Sequence, residues 1–168
     1  MTLQWQGKYL EVHKEGTWEY AARTRSIGAA VILAITEARE IVLVEQYRVP
    51  HHARTIELPA GLIGDTGEGD SVAAAAAREL AEETGFEAAE VEDLGRFATS
   101  AGMTSEVFNL VRARGLTRTG PGGGVDNEDI TTHIVPLADL PAFLAAKRRE
   151  GCVIDCRLVI GMDLIPRD

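Results

Sequence analysis

The segment from Ser71 to Thr84 constrains this chain more than any other. Five consecutive alanines, Ala73 to Ala77, have the best intrinsic helix propensity. Asp70 or Ser71 can cap the start, and Gly85 stands where a left-handed residue ends a helix. The predicted helix carries Glu79, Glu82 and Glu83 at i, i+3 and i+4, so all three share one side. Like charges at that spacing repel by roughly 0.2–0.5 kcal/mol per pair. They also crowd the last turns, where the helix dipole disfavours carboxylates, with only Arg78 beside them. A solvated acidic face gains nothing from that placement, and local rules are most often broken at functional sites. Converging carboxylates are what hard divalent cations such as Mg2+ require. Upstream, Glu57-Leu58-Pro59-Ala60-Gly61 reads as a strand end followed by a glycine that admits close backbone approach.

The other segments read mostly as strands. Lys8–His13 and Trp18–Ala22 predict a hairpin; Ile27–Thr36 reads as a buried strand; Ile41–Tyr47, Thr55–Leu58, Val91–Ala98, Val107–Arg112 and Ile130–Val135 follow. Gly61–Asp70 and Gly120–Gly124 read as loops, the second as a flexible one, and Asp139–Arg149 and Asp155–Ile165 as helices. This order predicts an α+β chain, an α/β/α sandwich, without Rossmann alternation. At 168 residues one domain spanning 1–168 is expected, with a core that needs no staple. The longest apolar run, Ile27–Thr36, is about half of what a bilayer span needs. Met1–Gln6 has no signal-peptide pattern, so a cytoplasmic protein is expected. A net charge of −9 argues against nucleic acid or an anionic membrane as partner, yet allows a small anion bridged by metal. Cys152 and Cys156 are too few for a zinc site and read as packing thiols on one helix face.

The run Arg78-Glu79-Leu80-Ala81-Glu82-Glu83-Thr84-Gly85-Phe86 resembles the second half of the Nudix box, Arg-Glu-U-x-Glu-Glu-x-Gly-U with U apolar, at every specified position. The box spans about residues 61–86. Its first half departs: the family spacing lands on Gly64 and Asp70, whereas local context favours Gly61 and Glu68. The resemblance extends to the ADP-ribose pyrophosphatase branch through Trp18-Glu19, Val42–Arg48, Glu57–Gly61, Ser100–Glu106 and Val125–Ile130. Ala101 stands where that branch usually has proline. The C-terminal Asp155–Leu164 stretch is similar to the branch's last helix.

The resemblance implies a Nudix fold, a mixed sheet between helices. It implies a Mg2+-dependent hydrolase, with Mn2+ as the other candidate metal, acting on the diphosphate of a nucleoside diphosphate derivative. ADP-ribose, split to AMP and ribose 5-phosphate, is the first expectation. GDP-mannose, NADH or FAD are alternatives, as is a catalytically silent nucleotide sensor. Glu79, Glu82, Glu83, Glu128 and the Ala60 carbonyl are the implied metal ligands, and Glu82 also counts as catalytic. Asp126 or Glu128 would orient or deprotonate the attacking water. Arg48 and Glu106 would position substrate, and Trp18 or Tyr9 would stack on the base. The implied partner is a second copy of the chain, joined through an N-terminal hairpin within about residues 1–25. No role falls to His51 or His52.

Overall fold

The structure, a computed structural model, describes residues 1–25, 28–64, 71–125 and 128–165. Strands β1 (Thr2–Gln6), β2 (Leu10–Glu15) and β3 (Trp18–Arg23) form an antiparallel sheet of their own. The expected hairpin is therefore three-stranded. Every residue of β1 is exposed, so no buried face gives it the alternation by which a strand is recognised in sequence.

Next come β4 (Ala29–Ala34), β5 (Glu40–Arg48), a 3-10 turn at Val49–His51, β6 (Ala53–Glu57) and β7 (Ala60–Leu62). Helix α1 (Val72–Thr84) is followed by β8 (Phe86–Ala98), β9 (Val107–Arg118), β10 (Thr131–Pro136), α2 (Leu140–Arg149), β11 (Val153–Ile154) and α3 (Cys156–Asp163). Two mixed sheets result, ordered β10-β5-β6-β11 and β7-β4-β9-β8. The β4–β9 and β6–β11 pairs are parallel.

Strand β4 is apolar along its length because both of its faces are covered. Val31 and Leu33 pack with Leu140, Leu144 and Leu158 of α2 and α3. Ala30, Ile32 and Ala34 pack with Ala76 and Leu80 of α1. Strand β5 divides likewise, Ile41 and Leu43 to one core and Val42 to the other. Sheet with helices on both sides is the predicted α/β/α arrangement, and an amphipathic α1 needs only its apolar stripe against the strands.

Two readings of the sequence are corrected. Cys152 lies before β11 while Cys156 opens α3, so the thiols do not share a helix face; α3 begins only after Asp155, which caps it, its carboxylate accepting from Arg157 N–H. Gly120–Gly124 does not stand free either. The Gly123 and Gly124 N–H groups donate to the Glu83 and Glu82 carbonyls at 2.9 and 3.0 Å. A flexible hinge was expected, but the loop satisfies carbonyls that the end of α1 leaves without intrahelical partners.

Candidate active site

Helix α1 ends at a cleft of about 360 Å3 whose lining includes Glu79, Glu83 and Glu128 together with Arg23, Arg48 and Arg157. Ser71 caps the helix start, accepting from Ala74 N–H at 3.1 Å, and Gly85 (φ 73°) ends it. These two caps fix which turn carries the acids to the cleft.

Glu83 is 5% exposed, and one carboxylate oxygen accepts from Ala60 N–H at 3.1 Å. Burial, reinforced by the charges of Glu79 and Glu128, pushes its pKa up to about 8 despite that hydrogen bond. Burial also raises Glu79, with Glu82 and Glu128 adding to it and the Arg78 guanidinium, 3.5 Å away, opposing it. Glu79 can occupy this position because residue 61 has no side chain: a Cβ there would lie 1.9 Å from Glu79 Cδ. Among the described residues, no three His, Cys, Asp or Glu side chains already close round one point. The donor set nevertheless fits a divalent cation, since carboxylates held at a cost of desolvation and mutual repulsion lack a compensating charge of matching size.

The arginine side is ordered by carboxylates. Arg48, at the end of β5, makes a two-pronged contact with Glu57 at the end of β6, Nε and Nη2 each donating at 2.7 Å. Glu57 is 2% exposed and also accepts from the Thr55 hydroxyl and from Arg157 Nη2, the latter at 3.3 Å. Asp155 holds Arg157 through Nε and Nη2. Arg23 donates through the same two nitrogens to Glu106 at 2.8 and 2.6 Å. A guanidinium has five N–H donors in a rigid fork, so a carboxylate on one edge fixes the plane in which the remaining donors meet a ligand. Within the described residues, Nη1 of each of these three arginines is left without a hydrogen bond.

The structure thus gathers Arg48, Ala60, Glu79, Glu83 and Glu128 in one cleft. Glu82 is half-buried on the same helix. Glu106 acts on this cleft through Arg23, since its carboxylate is engaged by that guanidinium. Trp18 lines a separate depression with Tyr20 and Ala101, and Tyr9 is exposed in the turn between β1 and β2 with Lys8 over its ring. Within one chain neither aromatic lines the carboxylate cleft. Asp126, Glu68 and Asp70 lie outside the described residues. Sequence reading passed over Arg23, Glu57 and Arg157. The only sequence signal for Glu57 was its position ahead of Pro59 and Gly61, and Arg157 lies 100 residues from the carboxylate it shares with Arg48. A larger cavity of about 480 Å3 adjoins at Arg23 and Glu106, with Arg25, Arg96 and Asn109 in its wall; it contains none of the α1 carboxylates.

The NUDIX domain family model matches residues 25–152. The chain is 36% identical over 142 residues to the methanol dehydrogenase activator of Bacillus methanolicus, covering 84% of this chain and 73% of that protein. It is 35% identical over 137 residues to an ADP-ribose pyrophosphatase of Mycobacterium tuberculosis, covering 80% of this chain and 63% of that one. It is 33% identical over 144 residues to a GDP-mannose pyrophosphatase of Klebsiella pneumoniae, covering 81% and 69%. A crystal structure described as an ADP compounds hydrolase superposes with a TM-score of 0.68 at 25% identity, over 86% of this chain and 80% of that one.

Proposed function

The chain belongs to the Nudix family and is a Nudix hydrolase, and from that premise we propose that it hydrolyses the diphosphate of ADP-ribose to AMP and ribose 5-phosphate with Mg2+. The observation that carries this reading is a single cleft lined by three edge-fixed arginines and three carboxylates. A diphosphate joining two bulky groups needs both, cations to bind its oxygens and a carboxylate cluster to hold metal against them.

Glu79, Glu82, Glu83, Glu128 and the Ala60 carbonyl would hold Mg2+, with Mn2+ as a substitute. When bound, the metal neutralises diphosphate charge and lowers the pKa of a bound water. Arg48 and Arg157 bind and orient the phosphates; because Glu57 and Asp155 fix them beforehand, little side-chain freedom remains to be lost on binding. Glu128, at the open edge of the cleft, accepts the proton of the attacking water. Asp126 is the alternative for that role.

GDP-mannose is the second substrate to test, because a relative with that activity in its name aligns over 81% of the chain. The deciding assay follows release of AMP and ribose 5-phosphate from ADP-ribose, with GDP-mannose, NADH and FAD in parallel and with Mg2+ present and absent. AMP release that depends on Mg2+ is the expected result. Nucleotide binding without product in any arm would make the chain a sensor and reject hydrolysis. Glu128→Gln is expected to lower kcat by roughly a hundredfold or more, from the lower end of the range for a general base upward, and Asp126→Asn to be mild; the reverse order would transfer the role to Asp126.

The assembly proposed for the intact protein is a homodimer. Leu3, Trp5, Leu10 and Trp18 on the N-terminal sheet and Tyr9 in its first turn are all about half exposed or more, and large apolar side chains left in solvent are candidates for burial in an interface. In the dimer Trp18 or Tyr9 would stack on the base in a cleft. Light scattering at micromolar concentration is expected to give twice the chain mass, and a single-chain mass would reject the dimer. No helix among the described residues is long and apolar enough to cross a membrane.

A further inference from the structure

We propose that Arg54 is a positioning residue for hydrolysis: by clamping Asp129 it holds the neighbouring Glu128 at the mouth of the cleft. The proposal rests on the reading that Glu128 serves the reaction.

The chain between β9 and β10 passes the end of α1, and among its described residues Glu128 lines the cleft. Its own local contacts are slight. Glu128 N–H donates to the Val125 carbonyl at 3.2 Å, and its carboxylate accepts from Val125 N–H at 3.1 Å. Both contacts are to Val125, three residues away, so neither ties Glu128 to the body of the protein. The segment is tied down on either side of this turn. Before it, the Gly123 and Gly124 amides dock on the last carbonyls of α1. After it, Arg54 Nη1 donates to the Asp129 carboxylate at 2.8 Å and Nη2 to the Asp129 carbonyl at 3.3 Å.

Arg54 is suited to this role because it is itself anchored. Its Nε donates to the Glu45 carboxylate at 2.7 Å and its Nη2 to the Glu45 carbonyl at 3.1 Å. Glu45 is a buried carboxylate on β5 that also accepts from His133 Nε2 and contacts Lys147 Nζ, both at 2.9 Å. The guanidinium therefore bridges a fixed strand and a loop 75 residues away. A surface ion pair adds little to stability because ordering two long side chains costs entropy. Here the arginine is already ordered by Glu45, so the contact with Asp129 mainly sets where the loop lies. Misplacing a reacting group by about 1 Å can cost a hundredfold in rate, which makes a weak contact in stability terms a strong one for turnover.

The test is steady-state kinetics with ADP-ribose and Mg2+ on Arg54→Met, Arg54→Lys, Asp129→Ala and the Arg54→Met/Asp129→Ala double variant, with Glu128→Gln alongside. Arg54→Met is expected to lower kcat by roughly ten- to a hundredfold with KM within about twofold, because ground-state binding by the arginine side is untouched. Arg54→Lys should recover part of the loss. Asp129 has an 80% exposed side chain, so Asp129→Ala, which removes the acceptor, leaves the fold intact and should reproduce the kcat loss even if Arg54→Met folds poorly. The double variant should be no slower than the worse single one, since both remove the same clamp. Unchanged kcat in Asp129→Ala, or effects that multiply in the double variant, would reject the clamp. If Glu128→Gln loses kcat while the clamp variants keep it, the clamp alone is wrong. Full activity in Glu128→Gln would overturn the underlying reading and the proposal with it.

Discussion

Replacing Glu83 with Gln is expected to stop turnover and, in metal-free buffer above neutral pH, to stabilise the fold. The two effects have one cause. Glu83 is almost wholly buried, and its pKa is raised from 4.5 to about 8 by burial and by its acidic neighbours. Between those two values the unfolded chain releases a proton that the folded chain retains, so stability falls as pH rises through that window. The difference of 8 − 4.5 units, at about 1.4 kcal/mol per unit, sets a ceiling near 5 kcal/mol. Gln keeps the shape and can still accept from Ala60 N–H, but it has no proton to lose. At pH 8 the variant should therefore melt several degrees higher than the parent, at about 2–4 °C per kcal/mol for a domain of this size. At pH 4, where both states carry the proton, the two should melt together. Turnover should fall by at least about a hundredfold, more than is typical for a group one step removed from a metal. Glu82→Gln is expected to lose turnover to a similar degree, since it removes a second carboxylate from the same turns. Melting curves with chelator at the two pH values check the first half of this prediction, and initial rates at low Mg2+ check the second. Equal melting temperatures at pH 8 would show that Glu83 carries no desolvation cost, and near-normal rates would remove it from the metal site.

Gly85→Ala is the second large effect. Residue 85 has φ 73°, and a Cβ there would lie 2.1 Å from the Gly120 carbonyl oxygen. Both atoms belong to backbone or to the first side-chain carbon, so no rotamer change relieves the collision. Gly122 repeats the situation from the other partner: its Cβ would lie 2.5 Å from the Thr84 carbonyl carbon, at φ 70°. Left-handed backbone and overpacking each cost on the order of 1–3 kcal/mol, so either alanine should cost about 3 kcal/mol or more. Gly120→Ala is the matched control. Its nearest neighbour is the Gly85 Cα at 3.8 Å and its φ is not positive, so its melting temperature should hardly move. Because the loop that must shift also carries Glu128, Gly85→Ala and Gly122→Ala should lose activity as well as stability. If all three alanines behave alike under thermal melting, the loop is not docked on the helix end as described.

Much of the fold was legible in the sequence because it is decided locally. The Ser71 cap, the alanine run and Gly85 specify α1 within about fifteen residues, and a helical period places Glu79, Glu82 and Glu83 on one side whatever packs against it. The apolar stretch of β4 announced a strand covered on both faces. The Nudix box needed no more than that one helix to be recognised. Strand β1 was missed because full exposure leaves no pattern to read, and Gly120–Gly124 was misread because a glycine run in sequence does not reveal that its amides will meet a helix terminus.

The other half of the site was set only by the tertiary structure. Arg48 and Glu57 meet because β5 and β6 pair in a register that puts Val44 opposite Glu57 and Arg48 opposite Ala53, with all four on one face. Arg157 joins them from the far end of the chain because Asp155 caps α3, and β11 lays that cap alongside Ile56 of β6. Arg23 finds Glu106 where β3 runs beside the segment ahead of β9, and Arg54 finds Asp129 through the pairing of β10 with β5. In sequence each of these residues is an ordinary charge near the end of an element. Their partners lie between nine and 100 residues away. A helix cap and a carboxylate triplet depend on neighbours within one or two turns, and sequence alone determines them. Which guanidinium meets which carboxylate depends on strand register and on how helices are laid across sheets, and those are properties of the packed chain.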